Sequence, residues 1–299
     1  MKALESLVTV GIASKDRPEV LDQTLRKVHT FGLGDCPLIL FDDGSSPPLA
    51  PPAISLFKSA RIIRVAQSAG QASGRNRIGE AVTTPFLLQL DDDSYPVEGD
   101  MQALLKVASE TANWLAIAIP FEEPSRDRWP VGIPADHLIP VRSFVGCSVL
   151  LDVEGFRKLG GYAAWIGRYC EEDEIAMRGL RGGLSTLITG LVRIRHDTSA
   201  VGRSLSGIAY RCFRNWFLVW SLHAPASVVP IKMFRLLGAS LAHSLRHLDP
   251  AALKGISDAV RLLPSLRRYR EPLTLAQYRR LRRMPHALDF TRTRRSGQN

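Results

Sequence analysis

Short apolar runs alternate with stretches of helical periodicity over roughly the first two thirds of the chain. Residues 7–13 (LVTVGIA) read as a buried strand, and 18–29 as a helix with Pro18 suited to its first turn. The runs at 37–41 and 60–65 predict two more strands, 72–82 a helix, and 86–90 a further strand. A helix over 101–111 and a strand over 114–120 follow, then a loop rich in charge and proline over 121–140. Residues 143–151 are apolar and extended, 172–181 helical, and 185–195 carry another strand. Strand and helix alternating at this spacing predict an α/β fold with a mostly parallel sheet covered by helices on both faces. Beyond residue 202 the pattern turns helical, over 208–222, 228–247, 251–263 and 275–283, separated by Pro225, Pro250, Pro264 and Pro272. The chain therefore divides into an α/β body over 1–204, a helical region over 205–290 and a polar tail, expected to be disordered, over 291–299.

Charge sharpens that division. Residues 205–299 hold 17 Lys+Arg against 4 Asp+Glu, a surplus of 13, whereas 1–204 carry a net charge of −3. The helical region, with Trp216, Trp220, Phe213, Phe217 and Phe234 interleaved among its arginines, reads as an amphipathic surface for a polyanion, an anionic membrane above all, or as a cap packed on the body. No recognisable nucleic-acid-binding module accompanies it, so nucleic acid is not an expected partner. The four cysteines are scattered, without a CxxC pair, which points away from zinc and disulfides and toward a reducing cytosolic compartment. Glu5 interrupts the apolar residues near the start, and His223, Pro225, Pro230 and Lys232 interrupt the longest apolar stretch, so neither a signal peptide nor a spanning helix is expected.

Candidate chemistry collects where strands end. Asp91, Asp92 and Asp93 close the apolar run 85–90 and offer hard oxygen ligands to a divalent cation. In an extended segment Asp91 and Asp93 point to one side and Asp92 to the other. Ala13, Ser14, Lys15, Asp16 and Arg17 follow the first strand, and Asp42, Asp43 and Gly44 the second, so all three sets open on one sheet edge. Asp43 can accept a hydrogen bond from a base N–H, or merely serve a tight turn with Gly44. The loop holding Gly70 feeds a helix start that, with Arg75 or Arg77, suits a diphosphate. The acids Glu171 to Glu174 open another helix, where the macrodipole favours them in any case.

Taken together, Val8-Thr-Val-Gly-Ile12 with Arg17-Pro18, Leu40-Phe-Asp-Asp-Gly-Ser45, Gly74-Arg-Asn-Arg-Ile-Gly-Glu-Ala81 and Gln89-Leu-Asp-Asp-Asp93 resemble family 2 glycosyltransferases of the GT-A fold. Phe144 to Asp152, Leu159-Gly-Gly-Tyr162 and Glu171 to Arg178 extend the resemblance to residues 6–203. It implies an inverting, metal-dependent transfer of a sugar from a nucleoside diphosphate donor to a hydroxyl acceptor, a saccharide or lipid-linked saccharide of the cell envelope. It implies further that Asp91 and Asp93 bind Mg²⁺ or Mn²⁺, with His196 reaching the metal or the diphosphate. Ala13, Ser14, Asp16, Arg17, Asp43, Gly70, Arg75, Asp91 and Asp92 would then hold the donor. Counting back from Arg178 puts the general base on Glu172; the family usually has Asp there, which leaves Asp173 as a rival. Gly146, Glu171 and the aromatics Tyr162 and Trp165 would face the acceptor, although both rings could equally be packed. The first strand ends Ala13-Ser-Lys-Asp-Arg17 where the family commonly has Pro-Thr-Tyr-Asn-Arg, so the aromatic neighbour of the base is missing. The expected location is cytoplasmic, peripheral at the inner face of the membrane.

Two other classes fit less well. An aspartyl phosphotransferase wants its acidic pair after the first strand, which here ends in Ala13-Ser14. A protein that only binds nucleic acid or anionic membrane leaves the ordered strand-end carboxylates unexplained.

Overall fold

The computed structural model describes residues 3–135, 137–198 and 204–293. In chain order the elements are α1 (Leu4–Leu7), β1 (Val8–Ser14), α2 (Pro18–Val28), β2 (Leu38–Asp42), β3 (Ala60–Arg64), α3 (Gln71–Ala81), β4 (Phe86–Asp91) and β5 (Ser94–Gly99). There follow α4 (Met101–Glu110), β6 (Trp114–Ala118), β7 (Phe121–Glu122), β8 (Arg128–Pro130), β9 (Ile139–Val141), β10 (Ser148–Asp152), α5 (Val153–Lys158) and α6 (Glu171–Arg181). The rest are β11 (Ser185–Ile188), β12 (Val192–His196), α7 (Leu205–His223), α8 (Val229–His247), α9 (Ala251–Leu266), α10 (Leu275–Arg283) and β13 (Thr291–Thr293).

Eight strands form the main sheet in the order β3-β2-β1-β4-β10-β6-β11-β9. β3, β2, β1 and β4 run parallel, β11 runs parallel to β6, and β10 and β9 run against their neighbours. The apolar runs are buried on both faces because successive side chains alternate. Val8, Val10, Ile12, Leu88 and Leu90 pack with Leu21 and Leu25 of α2. Leu87 and Phe41 turn to the other face, against Ile78 of α3 and Phe156 of α5. The parallel register sets Ser14 beside Asp42 and Ala13 beside Asp91, so the strand ends do open on one edge.

Several elements depart from the sequence expectation. The stretch 121–140 is not wholly a loop, since it holds β7, β8 and β9. These strands are too short for a periodic signal and exist only through their pairing partners. The segment 143–151 becomes a strand only at Ser148. The helix expected to stop at 263 runs through Pro264 to Leu266. The tail expected to be disordered begins as β13, whose residues 291–293 pair with β8; residues 294–299 lie outside the described residues. So do 199–203, which precede the expected boundary at 204/205.

In the C-terminal part, α7 lies against α9 and α8. Leu273 and Leu281 bury themselves with Val219, Met177 and Leu180, joining α6, α7 and α10. On α8, of whose residues Ser240 is the buried one, Ile231, Phe234, Leu241 and Leu245 form an exposed stripe at helical spacing, Phe234 being 80% exposed. Among the described residues, no helix is long and apolar enough to cross a membrane.

Candidate active site

A cleft of about 600 Å³ lies at the strand-end edge. The end of β1 contributes Ala13 and Ser14, the segment after it Arg17, the segment after β2 Asp43, and the loop before α3 Gly70. Asp43 fastens that loop by accepting from Ser68 Oγ (2.6 Å) and from the Ala69 (2.6 Å) and Gly70 (3.2 Å) N–H groups. Gly44 turns with φ +75°, and a Cβ there would meet the Ser68 backbone nitrogen at 3.0 Å, so the two loops close on each other only because this residue is glycine. Asp16 does not join the cleft lining. It ties β1 to the loop after β2, its N–H donating to Ser45 Oγ and its carboxylate accepting from the Ser46 N–H.

The three aspartates are not one extended segment, as the alternation argument assumed. Asp91 ends β4, and Asp92 and Asp93 form a turn into β5, pinned by Ser94 Oγ, which accepts from Asp91 N–H and donates to Cys147 O. The turn, not the pleat, brings Asp91 and Asp93 together. Asp92 is held aside by Ser14 Oγ (2.6 Å) and Arg17, and burial pushes its carboxyl up to about 6 despite both partners. Arg17 also donates to Asp93 at 3.0 Å.

His196, at the end of β12, places Nε2 3.1 Å from Asp93 and 4.0 Å from Asp91. One ligand atom from each of the three lies within 4.8 Å of the others, and neither buried ring nitrogen of His196 has a well-formed hydrogen bond. Two hard carboxylates with an under-satisfied imidazole fit a divalent cation. Burial opposes a charge on His196, yet Cys147, Asp93 and Glu123 hold its pKa well above the ordinary imidazole range. Glu123, 3.2 Å from Nδ1, orients the ring from behind. The sequence reading missed it, because nothing in the stretch 121–140 announces that its backbone returns to β12.

Arg75 is the correction with the largest consequence. It is 3% exposed and does not line the cleft, its guanidinium being taken up by carboxylates of the protein. Its guanidinium donates to Asp91 at 2.8 Å, Glu171 at 3.2 Å and Glu172 at 3.4 Å, bridging the metal-site carboxylate and the candidate base. A Cβ on Gly146 would lie 2.4 Å from this guanidinium, and the Gly146 N–H donates to Glu172 Oε1 at 3.0 Å. Gly146 therefore leaves room for Arg75 and holds Glu172 through its own N–H.

The other expected acceptor residues are mostly occupied within the protein. Glu171 is 2% exposed, and burial beside Glu172 pushes its carboxyl up to about 8 against the pull of Arg75. Tyr162 is a core ring rather than a sugar platform, 1% exposed, with its hydroxyl donating to Gln89 and its ring edge-on to Phe156. Trp165 faces a separate cavity of about 570 Å³ beside α9. Asp173 turns toward His286 (3.9 Å), Ser143 and Arg142, and burial, with Glu172 next, pushes its carboxyl up to about 7.

The helical region also reaches the cleft, which the sequence did not reveal. Tyr210, Arg211 and Arg214 of α7 line it, with Arg168 from the loop before α6. Asn215 is fully buried and donates to the carbonyls of Ile166, Arg168 and Tyr169, so α7 fixes that wall. An asparagine amide between Arg214 and Trp216 in a helix was the available signal.

The sheet order and the helices on its faces define an α/β domain of GT-A type. The model of glycosyl transferase family 2 matches residues 9–155 of the chain. Among solved structures it is similar to GalNAc-T7 with UDP, GalNAc and Mn²⁺ (TM-score 0.56, 13% identity, covering 75% of this chain and 49% of that one). It is similar too to the mannosyltransferase PcManGT of Pyrobaculum calidifontis in complex with GDP-Man and Mn²⁺ (TM-score 0.53, 13% identity, 92% of this chain and 78% of that one). A third is S. aureus TarS (TM-score 0.51, 11% identity, 87% of this chain and 55% of that one). The chain thus spans about half the length of the first and third, and at these identities the likeness is one of fold. No curated protein matches it by sequence.

Proposed function

We propose that the protein transfers a sugar, with inversion, from a nucleoside diphosphate donor to a hydroxyl acceptor. The observation that carries this reading is the Arg75 bridge, which holds Asp91 and Glu172 in one site. Asp43 and Gly70 take the nucleoside side of the donor, while Arg168, Arg211 and Arg214 face its diphosphate. A divalent cation, Mg²⁺ or Mn²⁺, held by Asp91, Asp93 and His196 would neutralise charge on the leaving diphosphate. Glu172 takes the proton of the acceptor hydroxyl as its oxygen bonds to the anomeric carbon. The bond from that carbon to the diphosphate breaks, and the diphosphate leaves with the electron pair. A thermal-shift panel of UDP-, GDP- and dTDP-sugars with and without Mn²⁺ tests the reading. One nucleotide should raise the midpoint and need the metal to do so; no rise with any of them sinks it.

Asp93→Asn should abolish the metal-dependent part of donor binding, because a neutral amide is a poor ligand for a hard cation. Asp92→Asn should leave the metal response intact and act mainly on stability, since Asp92 pairs with Ser14 and Arg17. Titration of Mn²⁺ against the two variants decides this; equal loss in both removes the assignment.

The acceptor in this proposal is a cell-envelope saccharide or lipid-linked saccharide, met at the inner face of the cytoplasmic membrane. The exposed stripe on α8 and the surplus of 13 positive charges over 205–299 support it. Vesicles containing phosphatidylglycerol should bind the protein, and salt should weaken the binding. Phe234→Ser with Leu245→Ser should weaken it by about tenfold or more, as each removes exposed apolar surface from one helix face. Sedimentation with neutral and anionic vesicles checks it; binding indifferent to lipid charge and to both substitutions leaves α8 a mere cap.

A further inference from the structure

Lys232, in the first turn of α8, rests its ammonium 3.8 Å from the ring centroid of Trp220 and 5.9 Å from that of Tyr278. Trp220 stacks on Trp216 at 5.2 Å with planes 16° apart, and meets Tyr278 edge-on at 6.3 Å. Arg235 follows Lys232 by three residues on α8, and Arg282 follows Tyr278 by four on α10, so each shares its neighbour's helix face. Arg142 is brought in after β9, its backbone N–H donating to Pro285 O at 2.8 Å. Burial, then Arg282, Arg235 and Arg142, draw the Lys232 pKa down to about 8, which marks a field of unneutralised positive charge. Among the described residues, Lys232, Arg235 and Arg282 have no carboxylate within ion-pair distance.

The cluster borders the start of α6. Arg142 also acts on Asp173 and on His286, which stand 3.9 Å apart, and Asp173 directly follows Glu172 at the start of α6. A solvated basic rim would spread its charges into water. Here three elements bring cations together around stacked rings, an arrangement that repels itself until an anion arrives.

We propose that Arg142, Lys232, Arg235 and Arg282 form the acceptor subsite, holding a phosphate or pyrophosphate group on the acceptor while the Trp216–Trp220 pair supports the portion next to it. The proposal rests on the transferase reading for its acceptor, and on the cluster alone for its anion. Guanidinium and ammonium groups from several directions suit phosphate oxygens, and the indole faces suit a sugar ring or an alkyl chain.

Titration of inorganic pyrophosphate into the full chain in metal-free buffer, read by tryptophan fluorescence, tests it. A saturable change is expected, and Lys232→Gln with Arg282→Gln should weaken the affinity by about tenfold or more. Binding of UDP or GDP with Mn²⁺ should be unchanged in that variant. If the double variant does not fold, the exposed Arg235→Gln alone should weaken pyrophosphate about threefold. Absence of pyrophosphate binding in the wild type, or affinity untouched by these substitutions, overturns the proposal. Vesicles of phosphatidylcholine and phosphatidic acid that displace pyrophosphate assign the site to a lipid-borne phosphate, and vesicles that do not displace it assign it to a phosphate on a soluble acceptor. Failure of UDP and GDP to bind the wild type would instead sink the transferase reading and leave the anion site standing.

Discussion

Arg75→Leu is expected to destabilise the protein by about 3–5 kcal/mol and to abolish transfer. The residue is buried, and its guanidinium serves Asp91, Glu171 and Glu172 at once. Removing it leaves Asp91 and Glu172 close together beside buried Glu171 with no guanidinium among them, a concentration of negative charge the interior cannot solvate. Cation–π contact with Tyr162, 5.9 Å from the ring centroid, is lost as well. The effect should depend on pH with a definite sign. Glu171 already has its carboxyl pushed up to about 8 by burial and by Glu172, so its folded form holds a proton that the unfolded chain releases near the ordinary glutamate value. Stability from such a group is present at low pH and is lost as pH rises toward 8. Loss of Arg75 deepens this, so the variant should be closest to wild type near pH 5 and furthest from it near pH 8. Urea denaturation at both pH values is the measurement. A loss below about 1 kcal/mol near pH 8 would mean that Arg75 is not the centre of the site.

Glu172→Gln should lower turnover by about two to four orders of magnitude and leave donor binding nearly unchanged. The amide keeps the size of the side chain and can still accept the Gly146 N–H, but it cannot take a proton. Asp173 gives the contrast. Its carboxyl is directed to Ser143, Arg142 and His286, so Asp173→Asn should reduce turnover only a few-fold. Single-turnover rates at saturating donor separate the two. Fast Glu172→Gln with slow Asp173→Asn would hand the base to Asp173.

Elements whose own periodicity is strong were legible from the chain alone. The runs that became β1, β2 and β4 bury both faces, and helices such as α4 and α10 keep a continuous apolar stripe, so local pattern and final structure agree. β7, β8 and β13 were not legible, since two or three residues carry no period and the pairing of residues 291–293 with 128–130 spans more than half the chain. For the same reason the motif residues Asp91, Asp93 and His196 could be nominated from sequence, whereas Glu123 could not.

By itself the sequence determined the order of strands and helices, the edge on which the acidic residues gather and the asymmetry of charge, because these depend on neighbours along the chain. Tertiary structure alone decided what the charged residues do. It turned Arg75 from a candidate phosphate ligand into a buried bridge, placed Tyr162 in the core, and brought Arg211 and Arg214 of the helical region into the strand-end cleft. The physical reason is that a side chain's partners are set by packing between elements distant in sequence. Whether a guanidinium meets water, a carboxylate or a ligand depends on what lies opposite it, and that is decided only when the elements dock.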